Sequence, residues 1–408
     1  MRYLCLILLG LLLLFAACGE NTPERTTLTW WQFWTSPDVK PTIEMLASDF
    51  EIEHPEVDIT LGDLTWSDGH EKIVISLAAG KGPDVIELGS DWVCEFAAAG
   101  KLLDITDAVA DLRDDLLMWE PATYEDRIYG VPWLLGTRVL FCNRELLSRA
   151  GYDEHFRPES WDDLLDAARR VNELDDDVFG FGSNSAERHR LYKKYLPFFW
   201  SAGGTVFNED RTATQFDSEA GRQSLEFYLQ LAQTGITETQ ARLDEYFAAG
   251  KLGFVISGDW LVRKISHAES GLNYCVALVP GPDIDTPGLS FAGGEYLVVN
   301  AATDGPEECV DLLRFLVQPE QDAWFCAVAN SFTAANRNAV VPVDTSREDI
   351  AAVFREQLLL SRPSPTHPKW VYLEEAIEQG VEQALYGERT PASALAEIDR
   401  QCAEILRQ

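Results

Sequence analysis

Positive charge is scarce in this chain. Of 408 residues, 33 are Lys or Arg and 67 are Asp or Glu, a formal net charge of −34. Lysine is the rarer cation, with 9 against 24 arginines. This balance argues against a nucleic-acid partner, whose phosphates are held by presented Lys and Arg. Broad adhesion to anionic lipid is disfavoured for the same reason. Histidine is thin as well: the six residues stand apart, which leaves a His-based metal site or triad without support. The eight cysteines include no CxxC pair and fit no zinc spacing. No GxSxG, GxGxxG or HExxH motif occurs. Ala79-Gly80-Lys81, Ala99-Gly100-Lys101 and Ala249-Gly250-Lys251 lack the earlier Gly together with the following Ser or Thr of a phosphate loop. Each reads as a helix end, with Gly left-handed and Lys at the negative pole. No metal or cofactor is implied.

What is present is ample core material, 46% hydrophobic residues, so the chain is not a disordered acidic tail. Its length exceeds the reach of one hydrophobic core, and two domains are expected. The apolar run from Leu4 to Ala17 is too short to cross a bilayer comfortably and reads as a secretory signal over 1–17. Its exit, Phe15-Ala16-Ala17-Cys18, resembles a bacterial lipobox. That resemblance implies lipidation at Cys18, a tether over 18–26, and an extracytoplasmic chain held to a bacterial membrane. Stable anchoring takes more than one lipid chain. The cysteines left inside the fold are widely scattered and read as buried small hydrophobes.

Along the chain, strand and helix patterns alternate. Leu28 to Phe33 is β-rich, and Val57, Ile59 and Leu61 alternate as a strand should. Between them Ile43, Leu46, Ala47 and Phe50 recur at helical spacing. Asp84 to Leu88 reads as a strand, with Ser90 placed to cap the helix that follows. Ser160 and Asp163 form a capping-box pattern, and Thr390-Pro391 opens the last helix. This alternation predicts an α/β fold with a largely parallel sheet.

Six tryptophans sit where a strand or turn should end, beside polar or glycine neighbours: Trp34, Trp66, Trp92, Trp133, Trp200 and Trp260. In open α/β sheets the ligand crevice lies beyond the carboxyl ends of the strands. An indole there can cover the apolar face of a sugar ring while nearby acids, amides and arginines satisfy its hydroxyls. Packing is the commoner role for any single Trp.

Several segments carry a family likeness. They are Gly82-Pro83-Asp84-Val85, Ile128-Tyr129-Gly130-Val131-Pro132-Trp133, and Thr137-Arg138-Val139-Leu140-Phe141-Cys142-Asn143-Arg144-Glu145-Leu146. Trp161-Asp162-Asp163-Leu164, Phe247-Ala248-Ala249-Gly250-Lys251 and Phe291-Ala292-Gly293-Gly294-Glu295 complete the set. In order and spacing, the chain resembles extracellular solute-binding proteins of the family 1 type, the sugar receptors of ABC importers. The resemblance implies a two-lobed, type II periplasmic-binding-protein fold that closes over its ligand by hinge bending. It implies lobe 1 over 27–138 and 298–345, and lobe 2 over 139–297 and 346–408. The expected partners are a sugar or oligosaccharide and permease subunits, with the receptor itself a monomer and not an enzyme.

The candidate contacts come from both lobes and the hinge. Trp34, Trp66, Asp91 and Trp133 belong to the first lobe, Trp200 and Trp260 to the second, and Gly293, Gly294 and Glu295 to the hinge. Trp66, Trp133 and Trp260 are assigned stacking roles. Asp91 and Glu295 accept from hydroxyls, Arg138 and Arg337 donate, and the two glycines admit close backbone approach. Two rivals stand beside this reading. One is a surface-anchored glycoside hydrolase using two of the many carboxylates. The other is a receptor for a non-sugar solute such as a polyamine.

The excess acid reads as a solvated surface whose self-repulsion salt would relieve. The melting temperature is therefore expected to rise with added NaCl in a thermal-shift titration; a flat or falling response overturns that reading.

Overall fold

The computed structural model describes residues 25–185, 187–268 and 271–408. The signal segment and Cys18 lie outside the described residues. The first sheet starts with β1 (Thr26–Gln32), β2 (Val57–Asp63) and β3 (Val85–Gly89). β1 pairs in parallel with both neighbours. β3 is buried at every position, as a central strand covered on both faces must be. A short hairpin, β4 (Thr123–Tyr124) and β5 (Arg127–Ile128), precedes β6 (Gly130–Thr137).

After Arg138 alone, the chain enters β7 (Val139–Asn143) of a second sheet. That sheet also holds β8 (Phe179–Asn184), β9 (Ile236–Glu238), β10 (Leu252–Ser257) and β11 (Tyr274–Ala277). Its strand order is β11-β7-β10-β8-β9. β12 (Ser290–Val299) then returns to the first sheet, antiparallel to β3 and β6, and β13 (Ser361–Arg362) pairs with its start.

Local signals produce the helices. Ile43, Leu46, Ala47 and Phe50 line the buried face of the helix Lys40–Glu53. Ser160 and Asp163 form a reciprocal capping box before Trp161–Asn172. Thr390 caps Pro391–Arg407, with Pro at the start of the helix. Gly80, Gly100 and Gly250 end helices with φ of 65°, 64° and 74°, so the three Ala-Gly-Lys segments are helix stops. Ser90 departs from expectation: Val93–Ala98 has no side-chain cap, and the Ser90 amide donates to the Gly294 carbonyl at 2.9 Å.

Each sheet has its own core. Leu28, Trp30, Ile43 and Phe50 pack with Leu312 and Phe325 on the first. On the second, Leu140, Phe198 and Tyr228 share a core with Trp370, Ile377, Leu395 and Ile398, so the two C-terminal helices belong there. The sequence reading places residues 290–297 in the second lobe. All of β12 instead pairs in the first sheet, because its backbone finds partners on β6 from Ala292 and on β3 from Glu295. Cys94, Cys142, Cys275, Cys309, Cys326 and Cys402 are free and buried. Among the described residues no helix is long and apolar enough to cross a membrane.

Trp133 is fully buried inside β6, stacked on Phe325 with centroids 4.3 Å apart and planes 5° apart. Its other neighbour is Trp30, edge-on at 5.7 Å. Truncating a packed aromatic leaves a cavity costing roughly 3–5 kcal/mol. Trp133→Ala should lower stability by about that much in chemical denaturation, and a loss below about 1 kcal/mol would remove Trp133 from the core.

Candidate functional site

The carboxyl ends of strands from both sheets converge on one cavity. Phe33 and Trp34 follow β1, Trp66 follows β2, and Asp91 and Trp92 follow β3. Facing them, Glu187 to Arg190 follow β8 and Trp260 follows β10. Arg138 sits at the crossing from β6 to β7, and Gly293, Gly294 and Glu295 come from β12. The volume is about 410 Å³, within the ~300–1,000 Å³ of small-molecule clefts. A larger cavity, about 540 Å³, is lined by Cys275, Val279, Pro280 and Ile284. It lies beside β11 of the second sheet and draws nothing from the first.

The aromatic wall is built in layers. Trp66 is 37% exposed and stacks on Phe33, with centroids 4.1 Å apart and planes at 17°. Trp92 lies buried behind them, 5.5 Å from Trp66. Trp34 turns its ring edge-on to Phe325 at 5.2 Å. Across the cleft, the Trp260 indole nitrogen donates to Asp244 at 2.9 Å, and Asp244 also accepts from Gln240 and Ser257. A Cβ at Gly258 would lie 1.9 Å from the Trp260 ring, so only glycine lets that indole fold back over the chain. The Arg138 guanidinium lies 5.2 Å from the Trp260 centroid and 4.8 Å from Phe291, within cation–π range.

The polar floor is an ion-pair network. Asp91 meets Lys193 at 3.0 Å and accepts from the Tyr192 hydroxyl at 2.9 Å. Burial works against its charge, but Lys193 overcomes that and holds the Asp91 carboxyl at about 2. Asp91, His189 and Glu374 each bring one ligand atom within 4.8 Å of the others. His189 is already hydrogen-bonded to Glu374, and Lys193 supplies the positive charge a metal would bring. Burial and the nearby Asp259 raise the Glu295 carboxyl to about 8. Glu295 therefore stays protonated at neutral pH and offers a donor, where the sequence reading expects a pure acceptor.

Three expected contacts fall elsewhere. Trp133 lies in the first core, because it sits inside a strand rather than at its end. Trp200 is buried in the last turn of the helix Tyr192–Ser201, in the second core. Arg337 is exposed on the surface, its amide bonded to the Asp115 carbonyl at 2.8 Å. Gly294 lines the cavity, but a Cβ there would lie 2.0 Å from the Leu134 carbonyl. Strand packing, rather than ligand approach, requires that glycine. The reading missed Phe33, Arg190, Lys193, Gln240, Asp244 and Arg263. Its overlooked signal was Arg188-His189-Arg190 followed by Lys193-Lys194, a basic cluster directly after β8 in a lysine-poor chain.

The profile described as bacterial extracellular solute-binding protein matches residues 34–323. The chain belongs to that family. It is 24% identical over 418 residues to a putative binding protein of Brucella abortus, covering 98% of each. It is 23% identical to the maltodextrin-binding protein MdxE of Bacillus subtilis, covering 86% of this chain and 84% of that protein. In structure it is similar to an ABC transporter solute-binding protein from Thermotoga lettingae bound with α-D-tagatose. That likeness has TM-score 0.83 and 24% identity, and covers 93% of this chain and 100% of the other. The fold is thus the two-lobed one that the family resemblance implies.

Glu295 sets a pH dependence. Its ordinary value of 4.5 applies unfolded, and about 8 applies folded. Between those values the folded chain keeps a proton the unfolded chain has lost, so stability falls as pH rises through that window. Glu295→Gln removes this contribution. Its melting temperature relative to the parent should climb from pH 5 to pH 8; parallel curves would contradict the assignment.

Proposed function

We propose that this protein captures a sugar or short oligosaccharide outside the cell and delivers it to the permease of an ABC importer. The observation that carries this reading is the cleft between the two sheets. It places the Trp66–Phe33 stack opposite Trp260, with carboxyl, guanidinium and amide groups between them. Indole faces cover the C–H side of a pyranose, and the polar groups answer its hydroxyls. The maltodextrin named for one relative and the tagatose bound to one structural neighbour support the same class of solute.

The two lobes close about the crossing at Arg138. A solute that touches both walls binds the closed arrangement better and shifts the population toward it. The chain works as a monomer, with lipid on Cys18 holding it to the membrane. Binding proceeds without turnover, so a chromogenic glycoside stays intact. A polyamine fits poorly, because five cationic side chains line the cavity: Arg138, Arg188, Arg190, Lys193 and Arg263.

The test is a sugar panel read by thermal shift and calorimetry, with Trp66→Ala as the variant. A binding sugar should raise the melting temperature and titrate one to one. Trp66→Ala should weaken it about tenfold or more while costing less unliganded stability than Trp133→Ala, since that ring is partly exposed. Failure of every sugar tested to bind overturns the proposal.

A further inference from the structure

The charge balance of the cleft is the reverse of the chain's. Acids outnumber cations by 67 to 33 overall, yet the cavity is lined by five Lys or Arg and four Asp or Glu. The acids there are largely spent. Asp91 is paired with Lys193 at 3.0 Å. Asp244 accepts from Trp260, Gln240 and Ser257. Glu295 is held protonated by burial. Glu187 accepts from the Gln240 backbone N–H at 2.7 Å.

The cations are not spent in the same way. Arg263 reaches Asp38 only at 3.6 Å. Arg138, Arg188 and Arg190 make no ion pair among the described residues, although all three line the cavity. Arg138 is 9% exposed and wedged between Trp260 and Phe291. Burial depresses Arg138 and the like charge of Arg190 adds to it, against the pull of Asp259 and Asp91; burial also depresses Lys193, where Arg138 and Arg190 oppose the pull of Asp91. Guanidinium groups brought together in a confined site, with no carboxylate in direct contact, favour the arrival of an anion. The guanidinium fork matches a carboxylate or phosphate, which it binds through two parallel hydrogen bonds.

We propose that the solute is an anionic sugar, whose negative group sits against Arg138 and Arg190 while its ring lies between the aromatic walls. This rests on the sugar reading above and narrows it. The acidic exterior does not oppose entry, because exposed charges more than about 8 Å away are screened at physiological salt.

The experiment is calorimetry on the whole protein with five probes: galacturonate, digalacturonate, galactose 6-phosphate, galactose and maltose. An acidic probe should bind about tenfold or more tighter than the neutral sugar of the same size. Raising salt from about 0.05 to about 0.5 M should weaken the acidic probe more than the neutral one. Arg190→Gln should lower acidic affinity about tenfold or more and shrink the preference for the acid. Tighter binding of the uronates assigns the group as carboxylate, and tighter binding of the phosphate assigns it as phosphate. If neutral sugars bind as well as acidic ones, this inference falls while the sugar reading stands. If no saccharide of either kind binds, both fall. Folding of the variant is checked by its melting temperature, and Arg190→Lys, which keeps charge but not the fork, should lie between parent and Gln.

Discussion

The Asp91 carboxylate leaves the end of β3 and meets Lys193 at 3.0 Å and the Tyr192 hydroxyl at 2.9 Å. Both partners stand on a helix that packs in the core of the other sheet. This contact crosses from one lobe to the other at the floor of the cleft, with the Lys193 side chain 12% exposed and that of Asp91 3%. A buried pair of this kind adds little net stability over apolar packing, but removing one partner strands the other charge. Its effect here is geometric. It fixes the end of β3 relative to the basic segment after β8, and the aromatic wall and the arginines then face one another. The Arg138 crossing and the return of β12 complete the frame, since both are single-chain links between the sheets.

Around that frame, most of the special residues serve positioning. Asp244 fixes Trp260 through its indole nitrogen, and Gly258 leaves room for the ring. Gly294 lets β12 pass the Leu134 carbonyl. The surface carries the acid and the cleft collects the cations, so the protein's net charge and its site's charge have opposite signs. The first bears on solubility and self-repulsion. The second bears on what can be held. Net charge alone would have pointed toward a cationic solute.

Much of the fold was legible because local rules and tertiary packing agree. The helical spacing of Ile43, Leu46, Ala47 and Phe50, the capping box at Ser160, and the glycine stops at 80, 100 and 250 all appear as read. The site was legible where a residue directly follows a strand: Trp34, Trp66, Asp91 and Trp260 all reach the cavity. It was misread where the same residue type lies within an element. Trp133 inside β6 and Trp200 inside a helix have the glycine and polar neighbours of a strand end, but their rings face cores. Arg337 borders no strand end and stays on the surface.

The sequence by itself determined several of the strands and helices and their alternation. Those properties follow from periodicity and capping within about ten residues. Only the tertiary structure decided which sheet β12 joins, which tryptophans face the cleft, and that Glu295 is protonated. It also decided that Arg138 and Arg190, 52 positions apart, line one cavity. Burial, charge compensation and backbone pairing are set by neighbours distant in the chain, and no local pattern records them.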